Sequence, residues 1–187
     1  MNLTELETRC EGCELCPLGK TKKHTVFGCG NPNAEVMFIG EAPGANEDEQ
    51  GVPFVGAAGQ LLDRYFEAVG IDREQVYIAN MLKCRPPHNR DPLPEEKDAC
   101  FPYLKEQIRQ IDPGIIVCLG RISAQRLIGE DFRITRDHGK WYQKGKFLLT
   151  AVYHPSLLLR DPSHREAMLA DLMTLREKMD ENKRKEL

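Results

Sequence analysis

The sequence predicts an α/β fold, a three-layer sandwich with a central four-stranded parallel sheet flanked by helices. Short apolar runs alternate along the chain with longer segments of helical period. Each apolar run stops at a glycine or a polar residue. Strands separated in this way by helices pair in parallel, and the helices cover both faces of the sheet. The 187 residues suit one domain, 1–187, with a sizeable core.

Glu35 to Ile39 reads as a buried first strand that ends at Gly40. Ala57 to Val69 reads as a helix, because Leu61, Leu62, Tyr65, Phe66 and Val69 share one face and Gly70 supplies the stop. Val76 to Ala79 is a short second strand. Pro94 to Ile111 is helical, with Leu104, Ile108 and Ile111 in register, and Pro102 should kink or restart it. Ile115 to Leu119 is the third strand, followed by a helix from Arg121 to Ile128, and Phe147 to Val152 is the fourth strand. A last amphipathic helix uses Met168, Leu172, Leu175 and Met179, and the charged tail from Asp180 to Leu187 is expected to fray.

The net charge of −3 excludes a basic wrapper of nucleic acid, so any such binding must use a local patch. One small basic cluster, Lys20, Lys22, Lys23 and His24, reads as a solvated loop or as part of such a patch. No stretch approaches the length of a membrane span, and a membrane partner is not expected. No apolar leader opens the chain, so a cytoplasmic, reducing setting without disulfides is expected for its seven cysteines. Cys118 lies in an apolar run and reads as a small core residue, and Cys29, between glycines, reads as a loop thiol. Cys13 and Cys16 form a tight pair, and Cys84 and Cys100 supply two more thiols from a distant segment. Two such pairs can complete a four-thiolate shell for an iron–sulfur cluster or for zinc. Cys10 and Cys13 could be the early pair instead.

In open parallel sheets, sites lie beyond the carboxyl ends of the strands. The first strand runs into Gly40-Glu41-Ala42-Pro43-Gly44, the second into Asn80 and the fourth into Tyr153-His154-Pro155-Ser156. A carboxylate, an amide and an imidazole should therefore meet on one rim.

These blocks resemble the uracil-DNA glycosylase superfamily, and within it the family with an iron–sulfur cluster, family four. Gly40 to Gly44 is similar to that family's first motif, which often has glycine where Ala42 stands. Asn80 to Arg90, with the run Lys83-Cys84-Arg85-Pro86-Pro87-His88-Asn89, is similar to its central motif. His154-Pro155-Ser156 followed by Leu157, Leu158, Leu159 and Arg160 is similar to its third. Gly51 to Gly56 resembles the segment that supplies a base-stacking aromatic, here Phe54. The resemblance implies a structural [4Fe–4S] cluster on Cys13, Cys16, Cys84 and Cys100. It implies hydrolysis of uracil from single- and double-stranded DNA by a monomer, with any replication or repair partner left open. Glu47 and Asn89 are implied to hydrogen-bond each other and brace the site. Covalent variants in the superfamily use a histidine in an inserted basic loop; no insert is present, and His88 reads as a loop residue.

Excision of a base from DNA requires that it be flipped into a pocket, read, stacked upon, and relieved of its growing negative charge while water is placed near the sugar. Asn80 fits reading, since its amide can accept from uracil N3–H and donate to O4, a pattern that cytosine reverses. Phe54 fits stacking, His154 fits stabilisation of the charge on O2, and Glu41 fits activation of water. The Ala42 backbone could meet the base, as turns of this kind allow close approach. Arg85, Ser156 and Arg160 could meet the DNA backbone, and Leu157, Leu158 or Leu159 could wedge into the vacated stack. Taken singly, Asn80 could cap its own loop, Phe54 could be plain core and His154 a turn residue. A non-catalytic iron–sulfur or zinc nucleic-acid-binding module is the alternative reading of the whole; a small redox protein on Cys10, Cys13 and Cys16 would leave Asn80, Phe54 and His154 without a task.

Overall fold

A computed structural model of the chain describes residues 1–185. They form one six-stranded sheet from β1 (Cys29–Gly30), β2 (Val36–Gly40), β3 (Tyr77–Asn80), β4 (Ile115–Leu119), β5 (Trp141–Lys144) and β6 (Phe147–Val152). The strand order is β1-β3-β2-β4-β6-β5. The expected four parallel strands are the middle four; β1 and β5 add antiparallel edges. Cys29 therefore pairs with Ile78 in an edge strand and is not a loop thiol. The β5–β6 hairpin had a legible signal, because Gly145 holds φ +58, as the first position of a tight two-residue hairpin turn needs.

The helices are α1 (Leu3–Glu11), α2 (Leu18–Thr21), α3 (Ala45–Gln50), α4 (Ala57–Val69), α5 (Pro94–Ile111), α6 (Arg121–Leu127), α7 (Ile134–Asp137), α8 (Pro155–Arg160) and α9 (Arg165–Lys185). No helix among the described residues is long and apolar enough to cross a membrane. α4 ends at Gly70, which takes the left-handed C-cap conformation at φ 71. Pro102 neither ends nor restarts α5, since one missing donor removes one hydrogen bond while Leu104, Ile108 and Ile111 stay buried against the sheet. The charged stretch from Asp180 continues α9 as far as Lys185 and does not leave it; residues 186 and 187 lie outside the described residues.

Each strand of the centre is buried on both faces, which is why it reads as an unbroken apolar run. Phe38 faces one layer with Leu62, Phe66, Met168 and Leu172 from α4 and α9. Met37 and Ile39 face the other, with Leu104, Ile108 and Cys118. The chain leaves β2 for β3 on one side and later crosses to β4 on the other, so the crevice beyond β2 is the topological switch point. Gly40 is paired with Asn80, and the pairing continues past the strand ends as Met81 N donates to Gly40 O and Leu82 N to Glu41 O, both at 3.0 Å.

Gly59, near the start of α4, lets the backbone of the preceding loop lie directly on the helix. A Cβ at this position would stand 2.7 Å from Phe54 Cα and closer still to its carbonyl. Alanine would gain about 1 kcal/mol of helix propensity, whereas forcing a methyl against backbone costs about 3 kcal/mol. Gly59→Ala is expected to lower Tm by about 4–8 °C in a thermal unfolding scan. Gly129→Ala, where a Cβ meets nothing within 4 Å, is expected to leave Tm unchanged.

Candidate active site and cysteine cavity

The carboxyl ends of β2, β3 and β6 open into a cleft of about 190 Å³ lined by Glu41, Ala42, Glu47, Phe54, Asn80, Asn89, His154 and Ser156, with Arg90 at its wall. The three strand ends read from sequence do meet. Asn80 is only 2% exposed, and its amide oxygen has no hydrogen-bond partner among the described residues. A buried acceptor left unpaired costs about 1–3 kcal/mol, so a donor brought to this atom would be favoured. Gly40 makes its position possible: a Cβ there would collide with Asn80 Oδ1 and lie 2.7 Å from Phe54 Cζ.

Phe54 sits across the cleft from His154, ring centroids 5.8 Å apart and planes tilted by 34°. It is buried, and it holds φ +53, a left-handed conformation that is an outlier for a bulky residue. His154 is the N-cap of α8, followed by Pro155 at the first helical position. Its Nδ1 accepts from Ser156 N at 3.1 Å and lies 2.7 Å from Ser156 Oγ. A backbone N–H can only donate, so Nδ1 carries the lone pair and the proton of the neutral ring sits on Nε2. Burial, then the charge of Arg160, pull His154 down to about 4, against the opposing Glu47. The imidazole is thus a neutral donor. Gly120, at φ +91, clears its seat, since a Cβ there would stand 2.9 Å from His154 Cβ. Glu41 is raised above the ordinary carboxylate range by burial and then by Asp91, with Arg121, Lys97 and Arg160 opposing.

Two expectations are corrected. Glu47 and Asn89 both line the cleft but do not bond each other. Glu47 Oε1 accepts from Val55 N at 3.0 Å and Gly56 N at 2.9 Å, because it lies in the first turn of α3 facing that loop. Asn89 Oδ1 accepts from Arg85 Nε at 2.8 Å. Leu158 is no wedge, because its side chain is fully buried in the core. Leu157 is half-buried, and Leu159 and Arg160 are exposed.

Several further residues support the site. Ser156 sets the tautomer of His154, a role legible in principle from a proline at the first helical position. Arg90, in the cleft wall, is held two-pronged by the buried Glu96 at 2.9 and 2.6 Å. Lys83 is fully buried, and its ammonium donates to Phe27 O at 3.0 Å, Asn80 O at 2.9 Å and Gln107 Oε1 at 2.5 Å. Burial pulls Lys83 down to about 8. The basic cluster is largely tied down: Lys22 bonds Glu11 O and Thr25, and Lys23 pairs with Glu49.

Behind the cleft, Cys10, Cys13, Cys16, Cys84 and Cys100 line one small cavity, together with Lys83, Leu18 and Tyr103. Ala42 lines the cleft and also packs against the cluster of Leu18, Leu82 and Cys84, so it touches both sides. Lys83 N donates to Cys100 Sγ at 3.3 Å. No three histidine, cysteine or acidic side chains among the described residues stand close enough to share a single metal ion.

The model of the uracil DNA glycosylase superfamily matches residues 27–174. The chain belongs to that superfamily. A type-4 uracil-DNA glycosylase of Archaeoglobus fulgidus is 45% identical over 184 residues, 94% of this chain and 92% of that protein. One from Thermotoga maritima is 42% identical over 170 residues, 88% of each chain. A type-5 uracil-DNA glycosylase of Thermus thermophilus is 31% identical over 153 residues, 70% of this chain and 68% of that protein. The superfamily match spans the three strand ends and Phe54, and the type-4 relatives match at nearly full length.

The neutral donor state of His154 has a pH signature. An ordinary histidine titrates near 6.5, whereas His154 is expected to show its midpoint near 4 in an NMR titration. Between these values the unfolded chain binds the proton and the folded chain refuses it. The stability that His154 contributes is therefore complete above about pH 6.5 and is lost as pH falls toward 4. A ring that titrates near 6.5 would contradict this geometry.

Proposed function

We propose that this protein is a monofunctional uracil-DNA glycosylase: it flips uracil from single- or double-stranded DNA and hydrolyses the N-glycosidic bond to leave an abasic site. The observation that carries the reading is the unpartnered, buried amide oxygen of Asn80 in a cleft shared with a neutral histidine donor, in a member of this superfamily. Uracil N3–H would satisfy that oxygen. Cytosine presents an acceptor at the same place and would leave two acceptors facing each other, at a cost of about 1–3 kcal/mol.

The steps follow from the groups present. The flipped ring stacks on Phe54, worth about 1–3 kcal/mol per base. As the C–N bond breaks, electrons pass to the base and negative charge grows on O2, where His154 Nε2–H donates; a preorganised donor of this kind supplies about 3–4 kcal/mol. The sugar takes on positive character, which the Glu41 carboxylate favours while orienting water toward the anomeric carbon. Its raised affinity for a proton suits it to receive one from that water. The Ala42 backbone approaches the base, Arg85, Ser156 and Arg160 face the DNA backbone, and Leu157 or Leu159 fills the vacated stack.

Cys13, Cys16, Cys84 and Cys100 would hold the [4Fe–4S] cluster that the family resemblance implies. The lining of one cavity by these thiols supports this, since a four-thiolate shell suits such a cluster. Held by these residues, the cluster would tie together the amino-terminal turn, the loop after β3 and α5, and its contribution would be structural. Cys10, in the same cavity, is the remaining thiol that could replace one of the four.

Incubation with a uracil-bearing oligonucleotide followed by alkali is expected to cut the strand at the uracil. Asn80→Ala is expected to lower the single-turnover rate about 10- to 100-fold, as loss of a hydrogen bond to a buried group implies. No alkali-labile product from the wild-type protein would leave the binding-module alternative. Purified protein is expected to be brown and to carry about four irons per chain, as the four-thiolate cluster requires, and Cys84→Ala to be colourless.

A further inference from the structure

Phe54 carries a problem that the cleft does not solve. A bulky residue at φ +53 stores about 1–3 kcal/mol of backbone strain. Released, the loop would return to an ordinary φ and swing the ring out of its place opposite His154. Contacts on both sides of the loop must hold it. On one side, Glu47 accepts from Val55 N and Gly56 N. On the other, a single guanidinium spans two successive carbonyls: Arg73 Nη2 donates to Pro53 O at 2.8 Å, and Nη1 to Phe54 O at 3.0 Å. Asp63, on α4, aims that guanidinium through a 2.6 Å ion pair. Arg73 lies in the loop between α4 and β3 and does not line the cleft. As a plain ion pair, partly exposed on both sides, it would contribute only about 0–1 kcal/mol to stability. Its fork on the two carbonyls is a geometry that a lysine point charge cannot reproduce.

We infer that Arg73 is a positioning residue for base recognition, holding the stacking face of Phe54 in its strained orientation from outside the cleft. This rests on the reading that Phe54 stacks on the flipped base. The loss of Arg73 should then matter only while the ring is there to be aimed.

A double-mutant cycle on the full-length protein tests this, using single-turnover excision from a uracil oligonucleotide and inhibition by free uracil. Arg73→Gln is expected to slow excision and weaken uracil inhibition about tenfold, within the range of coupled contacts. In a Phe54→Ala background the same change is expected to cost less than about twofold. Equal losses in both backgrounds, or no loss in the wild-type background, overturn the role of Arg73 while leaving Phe54 its stacking role. Phe54→Ala with wild-type excision and inhibition overturns the stacking reading, and the positioning role with it. Should Arg73→Gln fail to fold, Asp63→Asn, which frees the guanidinium without removing it, takes its place in the cycle with the same pattern at smaller amplitude.

Discussion

A hydrogen in place of a side chain at Gly40 lets two functional groups share the end of β2. The Asn80 amide and the Phe54 ring both press into the space that a Cβ would fill. Gly59 and Gly120 repeat the device, one admitting the Phe54 backbone to α4, the other admitting His154 to the end of β4. The cleft is thus built by omission of atoms at three points around its floor. The parallel sheet supplies the convergence, and these glycines supply the close approach that the convergence needs.

The electrostatic design follows from what surrounds each group rather than from its type. His154 is kept neutral by burial and by Arg160, with its proton placed on Nε2 by a backbone donor on the other nitrogen. Glu41 is lifted above its usual range by burial and by Asp91. The amide of Asn80 is left without a partner. A neutral donor, a proton-accepting carboxylate and an open acceptor form a set suited to a neutral pyrimidine that leaves as an anion.

The elements with a period long enough to fix a phase were legible in the sequence. The α4 helix follows from five apolar residues on one face and Gly70 behind them, and the four central strands from apolar runs buried on both sides. Strand β1 has two residues and no alternation to detect, which is why Cys29 read as a loop. The site was legible where its residues end strands, because sheet topology alone gathers Glu41, Asn80 and His154. It was not legible where it depends on which partner a flexible side chain selects. Glu47 turns to the amides of its neighbouring loop, and Asn89 to Arg85. Three consecutive leucines on a six-residue helix give no phase, and it is the packing of the fold that places Leu158 inward and Leu159 outward. Arg73 stands in a polar loop whose sequence carries no mark of its reach to Phe54.

The Lys83 ammonium joins Phe27, Asn80 and Gln107, residues brought together from β1's approach, the end of β3 and the middle of α5. None of these is a neighbour along the chain except Asn80 itself. The seat of the Asn80 side chain thus rests on contacts among three segments remote along the chain. The floor beneath the cleft is therefore anchored by chain segments that lie far from it in sequence.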